Sequence, residues 1–424
     1  MAAGCCVLVD SGAYIDTNDS TNASTARTVT GTGNQIMVSL WPASPPIPSR
    51  LSVHGLLLHP GQVFFQEPKI LCVADGLFVL RTAIGRSSPP FNITQRMSDY
   101  FVYQPASSTE GGPSLRLLAH PHPHLFTDDE VAVLPRGGGH HFTIAALSQT
   151  SYYKFVLYLF KSEDWCWTSK KVLLDPPQIP FPMPLPPDDV HGHFQHLTNS
   201  VITIGSRGAI GWVDLWQGIL FYDVLGDNED KIHLVTLPVR PGSHGGKALD
   251  CCPKPYRSVS VVGDCLKFVE LEPSGHRLPG KDPETRGPKL KIDDWTLTTY
   301  TNCNITGNPP EDWKIDFTVN ASAIRIDTTM RSALVRCGML RNSDEAAERK
   351  LQYLWTCQPV ISLNDDEGTV VYLITRVKFR HPKAWLLALD MANNQVQAMA
   401  MIETERSTAL SLNYFPCRIS SPAT

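Results

Sequence analysis

Ser258-Val259-Ser260-Val261-Val262, Gly263-Asp264, then Cys265-Leu266-Lys267-Phe268-Val269-Glu270-Leu271 reads as strand, two-residue turn, strand. Gly-Asp supplies the backbone freedom that a tight hairpin turn needs, and the β-branched and aromatic residues on either side suit a pleated surface. The same layout recurs. Ile70-Leu71-Cys72-Val73 turns at Asp75-Gly76 into Leu77-Phe78-Val79-Leu80, and Trp212-Val213-Asp214-Leu215 turns at Gln217-Gly218 into Ile219 to Val224. Val360-Ile361-Ser362-Leu363 turns at Asp365 to Gly368 into Val370 to Ile374. Weaker copies run from Phe142 to Phe160, turning near Gln149, and from Phe317 to Ile326, turning near Asn320. The turns near 76, 149, 218, 263, 320 and 368 are spaced by roughly 45 to 75 residues, against the ~40–50 of a four-stranded blade. These six turns predict an all-β, propeller-like fold of about six blades (five to seven), with long irregular loops absorbing the excess length.

Composition agrees with a folded chain. Of 424 residues, 42% are hydrophobic and 18% charged, with a net charge of −4. No basic footprint for phosphate contacts stands out, so nucleic acid is not expected as a partner. The longest apolar stretch, Phe155 to Phe160 with the tyrosines before it, falls far short of the ~20 residues that span a bilayer, so no membrane is expected either. Met1 to Asp10 lacks a basic leader, which points to the cytoplasm and/or nucleus. In that setting the eleven cysteines, none in a C-x-x-C pair, read as reduced thiols, several buried as small hydrophobes.

Along the chain, residues 1–66 read as N-terminal strands (Cys6–Ile15, Gln35–Trp41, Leu51–Leu58) that close or flank the ring, since an open ring would leave strand edges exposed. Residues 67–175 form a first half and 198–424 a second. Between them, residues 176–197 make a Pro/His-rich linker, seven of whose prolines fall between Pro176 and Pro187 and favour extended backbone. Ala106–Pro113 and the Pro/Gly-rich Glu272–Pro288 read as irregular insertions. One short helix is expected over Ser343 to Trp355, with Ser343 as its cap, Asp344 and Glu345 in the first turn, and Leu351 and Leu354 on an apolar edge.

Gly211-Trp212-Val213-Asp214-Leu215-Trp216-Gln217-Gly218-Ile219-Leu220-Phe221-Tyr222-Asp223-Val224-Leu225 resembles the signature of a plant family expanded in the grasses, domain of unknown function 1618. The likeness continues through Phe268-Val269-Glu270-Leu271 to Trp295, and on the N-terminal side through Asp75 to Leu80 and Phe155 to Phe160 with Trp165-Cys166-Trp167. Membership implies a resemblance to the β-propeller regions that accompany plant F-box domains. It implies no catalytic set, only residues with a structural role: Trp212, Asp214, Trp216, Gly218, Phe221, Asp223, Phe268, Val269 and Trp295. An F-box would place a helical segment ahead of the propeller, and the chain here opens directly on β-type sequence.

Chemistry is sparse. Gly31-Thr32-Gly33 stands alone, no phosphate-binding loop exists, and Gly205-Ser206-Arg207-Gly208 lacks the spacing of a nucleophile elbow. The histidine-rich runs are His120 to His124, His140-His141, and His191, His193 and His196. The last three are weak metal candidates in a loop that supplies no evident second shell. The acidic runs 227–230 and 364–368 read as solvated turns without calcium-loop spacing. Trp212 and Trp216, and Trp165 and Trp167 on one strand face, read as packing between blades. No catalytic residue, metal or cofactor is assigned. The expected function is a non-catalytic scaffold or adaptor for unidentified protein partners, and the alternative is a hydrolase or metal-assisted enzyme with its site at the axial face.

Overall fold

The computed structural model describes residues 5–18, 20–56, 63–85, 97–105, 112–121, 126–136, 141–151, 153–174, 194–226, 231–238, 252–304, 313–341, 350–364, 368–403 and 414–419. They form an all-β protein with a single α-helix among the described residues. Four-stranded antiparallel sheets follow one another along the chain. The first is β6 (Val63–Ala74), β7 (Leu77–Gly85), β8 (Asp99–Gln104) and β9 (Ser114–Leu117). Next come β10 (Val131–Arg136), β11 (His141–Ser151), β12 (Lys154–Lys161) and β13 (Cys166–Leu174), then β14 (Ser200–Ile204), β15 (Ala209–Asp214), β16 (Gly218–Asp223) and β17 (Lys231–Thr236). A short parallel pairing of Leu173 and Leu174 with Lys231 and Ile232 joins these two sheets at their outer strands. Two more sheets follow: β18 (Arg257–Val262), β19 (Cys265–Lys281), β20 (Pro288–Asn302), β21 (Lys314–Asn320); and β22 (Trp355–Ile361), β23 (Val370–Arg376), β24 (Lys383–Asp390), β25 (Gln395–Glu403).

The sixth unit draws on both ends of the chain. β1 (Cys5–Asp10) pairs antiparallel with β26 (Tyr414–Ile419) in six-residue register. On its other edge β1 meets Ser49, through Ser49 N to Leu8 O at 2.6 Å and Asp10 N to Ser49 O at 3.2 Å. Past Ser11–Ala13 the strand continues as β2 (Tyr14–Ile15), parallel to β5 (Arg50–Leu56), with β4 (Gln35–Trp41) and β3 (Ala26–Val29) beyond. The first strands then touch in a closed succession: β6 with β10, β10 with β14, β14 with β18, β18 with β22, β22 with β26, and β26 with β6.

The packing follows from the two-residue period of a strand. Trp212 faces the sheet of β10–β13 and its neighbour Val213 faces the sheet of β18–β21, and both are fully buried. Each sheet is therefore apolar on both faces, which is why its strands read as near-continuous hydrophobic runs rather than alternating ones. Six apolar clusters result, one between each pair of consecutive sheets.

The structure corrects the sequence reading in four places. The one α-helix among the described residues is α1 (Thr328–Arg336), and the described part of the expected Ser343–Trp355 span is not α-helical. Asp327 caps α1 by accepting the Met330 N–H at 2.7 Å. Residues 342–349 lie outside the described set, Leu351–Tyr353 is a single 3-10 turn, and Trp355 opens β22. The expected hairpin at Asn320 is absent, because β21 ends there and runs into a 3-10 turn at Ala321–Ala323. The remaining turns are not equivalent. Those at 76, 263 and 368 join first to second strands, whereas those near 149 and 218 join second to third, which accounts for their uneven spacing. Glu272–Pro288 is no irregular loop. β19 and β20 run 17 and 15 residues and carry a paired hairpin arm beyond their own sheet. Its tip grips the β23–β24 turn, where Lys378 Nζ lies 2.9 Å from Asp282 and 2.7 Å from Glu284.

The fourth correction concerns thiols. Cys265 and Cys303 are bonded, with their Cα atoms 4.2 Å apart. The register explains it: Leu266 pairs with Asn302, so the flanking cysteines stand directly opposite across β19 and β20. Cys72, Cys357 and Cys417 are buried and free, as expected of small hydrophobes.

Candidate functional site

The ring of first strands encloses a cavity of about 540 Å³, lined by β6, β10, β14, β18, β22 and β26. Each of these strands is the edge strand of its sheet, and β6 is also bridged on its second edge at Pro68–Ile70 by Ser11–Ala13. At the end where the strands begin, Lys254 Nζ reaches Asp129 at 2.7 Å, in front of the β14 sheet that lies between their own sheets. Lys69 adds a contact of 3.3 Å to Asp128, and buried Arg81 holds Asp128 at 2.9 Å. At the opposite end Ser206 Oγ donates to Asp264 at 2.7 Å, and Asp75 and Arg418 complete the lining. Among the described residues no group of three His, Cys, Asp or Glu side chains converges in metal-binding geometry.

Arg257 is the principal charged group in the wall. A two-residue turn at Gly263-Asp264 pairs it with Glu270 across β18 and β19. Both side chains are fully buried. Arg257 Nη2 and Nε lie 2.5 and 3.0 Å from Glu270 Oε1, Nη1 donates to the Leu215 carbonyl at 3.1 Å, and the guanidinium sits 4.3 Å from the Trp216 ring centre. Gln358 also lines the cavity. Its backbone is left-handed (φ 54°) at a bulge in β22, its N–H donates to Pro255 O at 2.7 Å, and neither end of its buried amide meets a partner.

The residues implied by the family resemblance build this wall from behind. Trp212 is fully buried and donates its indole N–H to Glu130 O at 2.8 Å. Asp214 is buried, and burial raises its carboxyl above the usual range. Its oxygens accept the N–H of Leu197 and of Trp216, both at 2.9 Å, and so fix the β15–β16 turn. Asp223 accepts from Leu225 and Gly226 in the turn that follows β16. Phe221, Phe268, Val269 and Trp295 are core residues. Gly218 is required by close approach, because a Cβ there would stand 2.6 Å from the Val235 carbonyl oxygen. Backbone cannot step aside as a side chain can. Gly218→Ala is expected to destabilise the protein by about 1–3 kcal/mol, read as a lowered urea midpoint at unchanged slope.

Of the metal candidates, His191 and His193 lie outside the described residues. His196 is not among the residues that line the cavity, and its backbone N–H donates to Gln149 Oε1 at 2.9 Å. It is 7% exposed, and burial pushes its imidazole from 6.5 down to about 3 against a smaller opposing effect of the Trp212 backbone. It behaves as a core histidine. Between those two values only the unfolded chain takes up the proton. This contribution is therefore intact above pH 6.5 and is lost as pH falls toward 3, by on the order of 1 kcal/mol per unit. The difference in unfolding free energy between wild type and His196→Phe, measured from pH 7.5 to 5, should shrink accordingly. A constant difference would contradict it. His141 lies 3.9 Å from Glu163, and His120 packs edge-on to Tyr100. Trp165 stands in the turn before β13 in left-handed conformation (φ 50°), and Trp167 lies on the strand; both pack on Phe160. Acidic residues 227–230 and 365–367 are outside the described set.

Sequence reasoning missed the Arg257–Glu270 pair, although a signal was present. The two residues stand equally far from the Gly263-Asp264 turn, with opposite charges, in strands otherwise poor in charge. Lys254, Asp129 and Tyr414 carry no local signal, because only ring closure brings their segments together.

Residues 212–372, from β15 into β23, match the family described as "Protein of unknown function (DUF1618)". No curated protein matches the chain. Among solved structures, AofleA from Arthrobotrys oligospora aligns over 100% of this chain and 91% of its own at 11% identity and TM-score 0.33. The WD40 domain of SCAP from fission yeast aligns over 96% and 88% at 10% identity and TM-score 0.29. The uncharacterized protein lmo1340 from Listeria monocytogenes EGD-e aligns over 87% and 97% at 9% identity and TM-score 0.29. At these scores the likenesses assign neither fold nor function. No described helix is long and apolar enough to cross a membrane.

Proposed function

We propose that the six units are the blades of one β-propeller, with β26 and β1 closing the sixth, and that the protein is a non-catalytic interaction scaffold. One observation carries this reading. Four of the charged groups that line the cavity are engaged within the protein, Asp129 with Lys254, Asp264 with Ser206 and Arg257 with Glu270 behind it, and neither a histidine nor a metal-type set stands among the described lining residues. A catalytic site needs groups poised toward substrate. A rigid ring that displays loops and an arm needs only to hold them in place.

The wider reading is of a plant protein related to the propeller regions that accompany F-box domains. The cytoplasm and/or nucleus is the proposed site of action, supported by the seven free thiols among the described residues and opposed by the Cys265–Cys303 bond. Nucleic acid is not proposed as a partner.

The test is cross-linking and identification of partners of the tagged full chain in plant cells. A variant with Leu278–Arg286 replaced by a short turn, and one lacking Pro176–Asp189, are run alongside. A partner bound by wild type and lost from either variant, with circular dichroism unchanged, is the expected result. Turnover of a substrate that Lys254→Met or Asp264→Asn alone abolishes would overturn the scaffold reading.

A further inference from the structure

Arg376, at the end of β23, is 2% exposed. The register sets it opposite Trp355 on the face shared with Cys357 and Ile374, in the apolar cluster between the β22–β25 sheet and the closing strands β1 and β26. Its Nη1 donates to the His381 carbonyl, while Nε and Nη2 meet no acceptor. Among the described residues no carboxylate stands within ion-pairing distance of it. The neighbouring titratable groups are Cys357 and Tyr414. Tyr414 is 6% exposed, its hydroxyl also lacks a partner, and it lines the axial cavity. Asp10, the carboxylate that acts on Tyr414, is held by the Gly12 N–H at 3.0 Å and the Tyr14 hydroxyl at 2.9 Å.

A guanidinium does not shed its proton in proteins, and an uncompensated charge in an apolar cluster is strongly unfavourable. Neither neighbour can supply the counter-charge. Burial pushes the Cys357 thiol up to about 11 and the Tyr414 hydroxyl well above its ordinary value, so both stay neutral. The free edge of the guanidinium is the side-on fork of Nε–H and Nη2–H, which presents two parallel donors to one acceptor group.

We propose that the seam between β23 and β26 is a binding site for a small monoanion, a halide or a short carboxylate, held by the Arg376 fork and the Tyr414 hydroxyl and reached from the axial cavity. The site stands apart from the scaffold reading and is tested without a protein partner. Its effect is to neutralise the buried guanidinium of Arg376 at the closure of the ring.

The full chain is melted in mixtures of sodium chloride and sodium gluconate at constant ionic strength, with sodium formate replacing chloride in a parallel series. Saturating the site is expected to raise Tm by about 3 °C. Arg376→Met should show no response to either anion, and Tyr414→Phe should shift the half-saturating concentration up about five- to tenfold. The series that saturates at lower concentration names the anion. Chloride-35 line broadening gives a second readout on the wild type alone, so the test stands even if Arg376→Met fails to fold. A wild-type chain indifferent to both anions, or an Arg376→Met variant that responds equally, would overturn the proposal.

Discussion

Replacing Arg257 by alanine is expected to remove about 3–5 kcal/mol of stability, the usual effect of breaking a buried ion pair from one side. The Glu270 carboxylate would remain fully buried with its partner gone, the Leu215 carbonyl would lose its donor, and Trp216 would lose the cation against its ring. The loss comes mainly from the group left behind. The double variant Arg257→Met, Glu270→Leu removes both charges while filling similar volume, and should recover most of the stability. Urea unfolding of the single and double variants measures the difference. A double variant as unstable as the single would show that shape, not stranded charge, dominates at this position. Arg376 makes the contrast, since no protein carboxylate is stranded when it is replaced.

The larger effect belongs to β26. A chain ending at residue 413 is expected to lose its cooperative melting transition altogether. Tyr414, Cys417 and Ile419 would be removed, and Val7, Leu8 and Val9 of β1 would lose their partner strand. Large apolar side chains contribute about 1.5–3 kcal/mol each on burial, so this group amounts to roughly 10 kcal/mol, comparable to the whole stability of an ordinary domain. The damage also spreads to both neighbours, because β22 and β6 each pack on β26. Size-exclusion chromatography and a circular dichroism melt decide the matter. A truncated chain that elutes and melts within a few degrees of the full chain would mean that the ring does not depend on its closing strand.

Much of this architecture was legible because hairpins are local. Gly263-Asp264 fixes the β18–β19 register from sequence alone, and Asp75-Gly76 does the same for β6 and β7 as far as Cys72, beyond which bulges shift the pairing. Phe317 to Ile326 misled for an equally local reason. Its β-branched residues suit a strand, yet after Asn320 the chain is captured by the Asp327 cap and the helix that follows. Glu272–Pro288 misled the other way. Its prolines and glycines suggest a loop, but the arm pairs only with itself and so tolerates residues that a central strand would reject. The cavity and the Arg376 seam left no trace in sequence order. Their groups come from segments that meet only once the six sheets have closed on one another.

The closing pair has a consequence for how the protein is made. β1 leaves the ribosome before every other strand described here, and its partner β26 emerges after them all. At about 5–20 residues per second, β1 waits on the order of half a minute with an unpaired hydrophobic edge. The five sheets between can assemble by neighbouring hairpins as they appear, but the two cores that flank β26 cannot form until β26 has emerged. A nascent chain of this protein is therefore a natural client for chaperones that shield exposed strands, up to the moment β26 reaches its partner.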